Sequence, residues 1–488
     1  MHRFNHYIVI AILAVGAFTT SCKKNAQQEN RPVSATQIVP INGATLSGIL
    51  GTGKTIRDTI HLTGGTYLLS GLVYVDELDV IQIDAGTVIK GIPGTPGVTP
   101  GGGLVVARGG KIEAIGTVTS PILFTTSSAS PAPGQTSGII ILGRATTNNG
   151  DTTRVEGIGG IPLLNPLYGG YDDSDNSGIL KYVRIEYAGF ELAPDNEING
   201  LTLAGVGSGT TIDYVEVYKA LDDGIQFFGG TVDAKHLVIV NPLDDGLAFD
   251  NGYRGRIQYA LVVADTGRAD RSASNGIESD NNSTGQPRLP ITKPLIANLT
   301  VIGLPNNAAA IKTIFPPSGI GQYGVAAQWR RSSRFEMYNS IFLGFKGGIL
   351  LDNSVPSGGT AADQTTQQGY RDGISKMKNN MIHAFNIPFA SSPVYPFGVT
   401  KPYPDAVDNN KGYVSANPND SIKLVNPFNR SITGFYLPRT GTPPIASPAL
   451  TGGLTTGLPA GLTGTTYRGA FDGIAANNWA SGWTVFAY

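Results

Sequence analysis

Acidic residues recurring at a fixed spacing are the feature of this chain that could do chemistry. Asp222-Asp223-Gly224, Asp244-Asp245-Gly246 and Ser274-Asn275-Gly276 each precede a short apolar stretch, and Gly224 and Gly246 lie 22 residues apart. If the phrases occupy equivalent places in successive turns of a stacked structure, Asp222 and Asp223 lie about 4.8 Å from Asp244 and Asp245. Two bare carboxylates at that distance repel by about 1 kcal/mol in water, and by several-fold more when partly desolvated. A basic side chain, a raised pKa or a bound cation must offset this repulsion. Ca2+ takes oxygen ligands at about 2.3–2.6 Å and can bridge carboxylates from successive turns. Asp250, Glu278 and Asp280 continue the acidic stripe. The expected metal-binding set is therefore Asp222, Asp223, Asp244, Asp245, Asp250, Glu278 and Asp280. The commoner use of such residues is structural, because Asp and Asn cap turns through side-chain-to-backbone hydrogen bonds.

Other constellations are weaker. Asp173-Ser174-Asp175-Asn176-Ser177-Gly178 matches the first half of a calcium loop, but position twelve is Arg184, not Glu. Asp173 and Asp175 are thus secondary metal candidates in what reads as a hydrated loop. Paired carboxylates also suit glycoside hydrolysis, with Asp222, Asp223 and Asp245 as candidates. Trp329 beside Arg330 and Arg331 offers an aromatic face with donors that suits a sugar ring, although a lone Trp more often packs in a core. Gly48-Ile49-Leu50-Gly51-Thr52-Gly53-Lys54-Thr55 satisfies the phosphate-binding loop pattern. It lacks the preceding buried strand and following helix that the pattern needs, so no nucleotide is expected.

The elements that must position these residues are short strands. Between the acidic phrases runs a second recurring unit, Tyr182-Val183-Arg184-Ile185, Tyr214-Val215-Glu216-Val217, Leu237-Val238-Ile239-Val240 and Tyr259-Ala260-Leu261-Val262. Aligned in this way, Val215, Val238 and Ala260 recur at 23 and 22 residues. Such a unit cannot bury its apolar face alone, and stacking successive copies gives a solenoid. Earlier, Gly103–Val106, Lys111–Ile115 and Ile122–Thr125 between glycine corners give three short strands per turn. The expectation is an all-β, right-handed parallel β-helix over residues 46–389, with residues 390–488 as a C-terminal cap or packing extension. The segments 146–177 and 355–372 read as inserted loops.

Composition agrees. The chain of 488 residues holds 65 Gly and 31 Pro, and only 15% of it is charged, which suits many tight turns between strands. A hydrophobic content of 41% excludes general disorder, and a net charge of −1 gives no sign of a nucleic-acid partner. At the N-terminus, His2, Arg3 and His6 precede the apolar stretch Tyr7–Val15, too short to span a membrane. Small residues then lead to Cys22, the single cysteine. Residues 1–21 read as a lipoprotein signal peptide, Cys22 as the lipidation site that tethers the protein to a membrane, and residues 22–45 as a flexible tether.

Gly110-Lys111-Ile112-Glu113-Ala114-Ile115-Gly116-Thr117, Pro121-Ile122-Leu123-Phe124-Thr125, the Asp-Asp-Gly phrases and the closing Tyr467-Arg468-Gly469-Ala470-Phe471 with Gly482-Trp483 resemble a family of Bacteroidota outer-membrane lipoproteins. More distantly the chain is similar to the pectate-lyase-like right-handed β-helix superfamily. The resemblance implies fold and location, and little chemistry. Lyases of that superfamily use Ca2+ to neutralise a uronate carboxylate while Lys or Arg removes the α-proton, which makes Arg254, Arg256, Arg268 and Arg271 weak catalytic candidates. The Gly-His-Gly phrase of β-helix polygalacturonases is missing. The leading expectation is a glycan-binding or glycan-handling accessory, working beside a TonB-dependent transporter. The alternatives are a Ca2+-dependent polysaccharide lyase and a structural or adhesive surface protein.

Overall fold

The computed structural model describes residues 36–52, 57–156, 158, 166–193, 196–313, 321–356, 364–391 and 408–487. Residues 1–21, read as a signal peptide, Cys22 and the glycine-lysine part of the phosphate-loop phrase lie outside the described residues.

Short parallel strands coil into a right-handed β-helix with three faces. The first sheet contains Leu201–Ala204, Ile225–Phe228, Leu247–Asp250, Ile277–Ser279 and Val325–Trp329, paired in that order. The second and third sheets are made by the two halves of longer strands, Gly178–Glu186, Thr211–Tyr218, Asp233–Val240, Arg256–Val263 and Leu295–Ile302. Strand alternation divides the side chains. Ile225, Phe227, Leu247, Phe249 and Ile277 enter a continuous core, together with Val215, Leu237 and Ala260, while their neighbours in sequence face outward.

Two details differ from the expected alignment. Val215 pairs with Leu237, not Val238, and Leu237 pairs with Ala260. The third copy of the unit is thus His236-Leu237-Val238-Ile239, and a one-residue slip exchanges the inner and outer faces. Between Gly276 and Gly348 lies a further coil, Val325–Trp329, unmarked by the glycine phrase because Ala326 stands where the other copies have Gly.

The corner between the second and third sheets explains the slip. Tyr182, Tyr214, His236, Tyr259, Asn298, Asn339 and Asn379 all have left-handed backbones, with φ between 49° and 61°. That conformation costs a non-glycine residue roughly 1–2 kcal/mol. Stacking offsets it: ring centroids lie 4.3 Å apart for Tyr182–Tyr214, 4.2 Å for Tyr214–His236 and 5.3 Å for His236–Tyr259. Asparagine, which tolerates this conformation best after glycine, continues the series.

Of the two arrangements expected for the C-terminal segment, its described residues take that of a packing extension. Pairing runs on past residue 390, with Lys411–Tyr413 forming one more strand against Met381–Ser391. Residues beyond it turn back along the flank. Ile422, Leu424, Phe435 and Tyr436 cover Val238, Val240, Leu261 and Val263, the outer face of the third sheet. Further along, Asn298 donates to Thr465 Oγ1 (2.9 Å) and Gly469 O (3.0 Å). Trp479 and Trp483 meet the aromatic corner at 5.1 Å from His236 and 5.7 Å from Tyr182. The backbone N–H of Val485 donates to buried Glu216 (2.8 Å). The physical reason is that the third sheet is apolar on both faces, as Leu237-Val238-Ile239-Val240 shows, so both need cover.

The glycines opening the first-sheet strands are required by close packing. A Cβ on Gly246 would lie 2.5 Å from Val262 Cγ1 and 2.7 Å from Gly276 O. We predict that Gly246→Ala destabilises the protein by about 1–3 kcal/mol in urea denaturation. Gly267→Ala, where a Cβ meets only Asp265 Oδ1 at 3.7 Å, should leave the midpoint unchanged. Equal effects at both positions would show that the overlap at Gly246 is relieved freely.

Candidate functional site

The outward positions of the first sheet carry the site. Register aligns Gln226 with Ala248 and Ala248 with Glu278, one row across three successive coils. Phe228 aligns with Asp250 in the next row. Just before these strands, the Asp-Asp-Gly turns form one lip of a cleft of about 500 Å³. The hairpin Glu191–Ala193 with Asn196–Glu197 supplies Glu191 and Glu197 to its wall. Among the described residues, eleven carboxyl side chains line it, against the guanidinium groups of Arg271, Arg330 and Arg331.

The two aspartates of each turn have different work. Asp223 Oδ1 accepts from Asp245 N (3.0 Å), Asp245 Oδ1 from Asn275 N (2.6 Å), and Asn275 Oδ1 from Val325 N (2.9 Å). This ladder ties each turn to the next and is the structural use of such residues. Asp244 instead accepts from Ser272 Oγ through Oδ2 (2.6 Å), and its Oδ1 is buried without a hydrogen-bond partner. Asp222, Asp223 and Asp244 each offer an oxygen within 4.8 Å of the others. Two oxygens on one Ca2+ can be up to about 5 Å apart, given ligand distances of about 2.3–2.6 Å. The donor set and its spacing therefore fit a calcium-type cation.

Electrostatics follow from this crowding. Burial pushes the carboxyls of Asp222, Asp223, Asp245 and Asp250 well above their ordinary range. Neighbouring carboxylates add to it, Asp223 and Asp244 for Asp222, and Asp280 for Asp250. Asp244 is raised to about 7 by burial and then by Asp270. Glu278 is raised to about 8 by burial, against the pull of Arg330. At the far end Arg330 pairs with Glu278 and with Asp280 (2.9 Å), and Arg331 pairs with Asp280 (2.7 Å). Glu278 and Asp280, expected as metal ligands, are thus held in ion pairs.

The fold brings Asp222, Asp223, Asp244, Asp245, Asp250, Glu278 and Asp280 to one cleft, with Arg271, Arg330 and Arg331. It does not bring the remaining candidates there. Arg254 pairs with Asp173 (2.6 Å) and Arg256 with Asp233 (2.9 Å between Nε and Oδ2). Arg268 donates to the carbonyls of Asn241 (2.7 Å) and Ala220 (2.8 Å). Asp173 also accepts from Thr146 N (2.9 Å), and Asp175 is buried and accepts from Ser177 Oγ (2.9 Å). That loop spends these oxygens on its own bonds and on Arg254. Trp329 is 0% exposed, 4.3 Å from the Phe335 ring, and unavailable for stacking on a sugar. It aligns with inward-facing Ser279, so Arg330 beside it faces out.

A family model described as a pectate-lyase like beta helix domain matches residues 53–391. The chain belongs to this family. No curated protein and no solved structure matches it. The acidic cleft of this pectate-lyase-like β-helix also holds residues not foreseen. Gln226 and Phe228 had a signal, since they are the outward positions of the strand that follows Asp222-Asp223-Gly224. Glu156, Glu191, Glu197 and Asp270 come from loops without periodicity and had none.

The raised carboxyls give stability a definite pH dependence. Asp244, whose pKa is lifted from 3.8 to about 7, contributes stability that is present below the unfolded value and lost as pH rises through about 7. Glu278 extends that loss to about pH 8. With chelator present, melting temperature should fall between pH 5 and pH 8. The excess melting temperature of Asp244→Asn over the parent should be larger at pH 8 than at pH 5. Parallel pH curves for the two proteins would show that Asp244 carries no excess repulsion.

Proposed function

We propose that the acidic cleft is a glycan-handling site organised by a divalent cation of the calcium class. The observation that carries this reading is the convergence of Asp222, Asp223 and Asp244 within 4.8 Å, in a cleft of a pectate-lyase-like β-helix. The partnerless Asp244 Oδ1 supports it, because a buried acceptor left unsatisfied costs about 1–3 kcal/mol. Bound Ca2+ supplies positive charge and open coordination positions for carbohydrate oxygens. The chain's own residues fix the geometry: the Asp223–Asp245–Asn275 ladder sets the lip, and Arg330 and Arg331 close the opposite end.

Calorimetric titration of chelator-treated protein with Ca2+ tests this. We expect a single tight site, proton release on binding, and affinity rising from pH 6 to pH 8 as Asp244 gives up its proton. Ca2+ at about 100 times its dissociation constant should add roughly 2.7 kcal/mol to stability. Asp222→Asn and Asp244→Asn should each weaken binding about tenfold or more, and a glycan array should respond only with Ca2+. A folded protein that takes up no Ca2+ sinks the reading.

A Ca2+-dependent lyase acting on uronate glycans is the second reading, favoured by Arg271, the arginine of the four candidates that the cleft holds. The acidic lining weighs against a polyanionic substrate. Absorbance of unsaturated uronate products, lost in Arg271→Ala, would bring that reading forward.

We further propose that Cys22 carries lipid and tethers the β-helix to the outer membrane, beside a TonB-dependent transporter that receives the glycan. The charged start, apolar stretch and single cysteine support the anchor. No helix among the described residues is long and apolar enough to cross a membrane. Metabolic labelling with a palmitate analogue should mark the parent and not Cys22→Ser, which should leave the membrane fraction. Equal labelling would refute the anchor at Cys22.

A further inference from the structure

The cleft's acceptors and charge narrow the glycan it can hold, an inference that rests on the glycan-handling reading. Gln226 is only 6% exposed and lines the cleft, and its Oε1 has no hydrogen-bond partner. Asp244 Oδ1 shares that condition at the lip. Both atoms are acceptors, so what is missing at both is a donor or a cation. A metal at Asp222, Asp223 and Asp244 satisfies the second and does not account for the first.

The floor has room at the right place. Gln226, Ala248 and Glu278 form one outward row on three successive strands, about 4.8 Å apart. Ala248 in the middle carries only a methyl group. A group seated above it lies between the Gln226 amide and the Glu278 carboxyl, with the Phe228 ring among the lining residues as an apolar surface for a sugar.

Charge decides the chemistry of that group. Eleven carboxyls face three guanidiniums, two of which are held by Glu278 and Asp280. Three guanidiniums and one Ca2+ bring five positive charges to eleven carboxyls, which leaves carboxyls that can ionise for a further cation and none of the surplus positive charge that an anion needs. A polyuronate brings a carboxylate with every sugar and meets like charge along the cleft. A neutral glycan leaves unexplained why so many carboxyls are gathered at a desolvation cost. We propose that the cleft binds a glycan of hexosamine units with free amino groups, one ammonium seated above Ala248 against Gln226 Oε1 and Glu278.

The test is calorimetric titration of the folded, Ca2+-loaded protein with three oligosaccharides of equal length: β-1,4-linked glucosamine, its fully N-acetylated form, and galacturonate. We expect the free amine to bind about tenfold or more tightly than the acetylated form, with affinity falling as salt is raised, and galacturonate not to bind. Gln226→Lys, which places an ammonium in the seat, should abolish the preference, and Glu278→Gln should reduce it several-fold. Circular dichroism checks that both variants fold, and the salt dependence of the parent keeps the test decisive if either does not. Equal affinity for the amine and acetylated forms overturns the amine inference and leaves the glycan-handling reading standing. Preferred binding of galacturonate overturns it in favour of the lyase. Binding of no glycan at all overturns both the inference and the reading beneath it.

Discussion

In a parallel β-helix each residue sits on its counterpart in the coil below, about 4.8 Å away, and everything distinctive here follows from that vertical alignment. A residue type is tolerated at a given position only if it tolerates its own kind as a neighbour. Aliphatic residues do, and fill the interior. Aromatic rings do, and stack at the corner from Tyr182 to Tyr259. Asparagine does, as where Asn380 donates to Asn410 one coil on, and it also serves that corner and the turn ladder. Carboxylates do not unless something intervenes, so the acidic stack is the one part of the repeat that the repeat itself cannot satisfy.

The three faces meet the same constraint differently. The third sheet is apolar inside and out, and residues 422–437 and 465–487 lie over it and its corner. In the first sheet the outward row is mixed: Gln226, Ala248 and Glu278 are no surface on which an apolar segment could pack. Loops rise around it instead, with the 191–197 hairpin on one side and the Asp-Asp turns on another. The chain thus covers the face that needs burial and builds a cleft on the face that does not. The rigid stack holds the cleft's floor in register without help from its occupant.

Much of this was legible in the residues. The 22-residue recurrence gave the β-helix, and the Asp-Asp-Gly phrases gave the cleft's lip, because equivalent positions must stack. Strand parity also held information that spacing alone left unread. Trp329 is in phase with inward Ile277 and Ser279, which puts it in the core and Arg330 outside. The unbroken apolar run from Leu237 to Val240 marked a sheet with two buried faces, and its outer face is the one the C-terminal extension packs on. Arg254, Arg256 and Arg268 looked near the stripe in sequence, but a coil turns a corner within a few residues, and their partners Asp173, Asp233 and the carbonyls of Asn241 and Ala220 lie elsewhere. Glu191 and Glu197 reach the cleft from a hairpin whose path no periodicity reports.

The doubled aspartate resolves what looked like a choice between structure and function. In each turn the second member, Asp223 or Asp245, bonds to the backbone of the next coil. That bond fixes the turn and, with it, the direction of the first member. Asp222 and Asp244 are thereby held close to each other and to Asp223, with Ser272 Oγ also donating to Asp244. Without an occupant, the crowding is relieved by protons, which is why burial and mutual repulsion drive these carboxyls upward together. A cation relieves it equally well and displaces the protons. Proton and cation are therefore competing answers to one electrostatic problem, and the turn ladder that poses it is also what keeps the ligand oxygens in place.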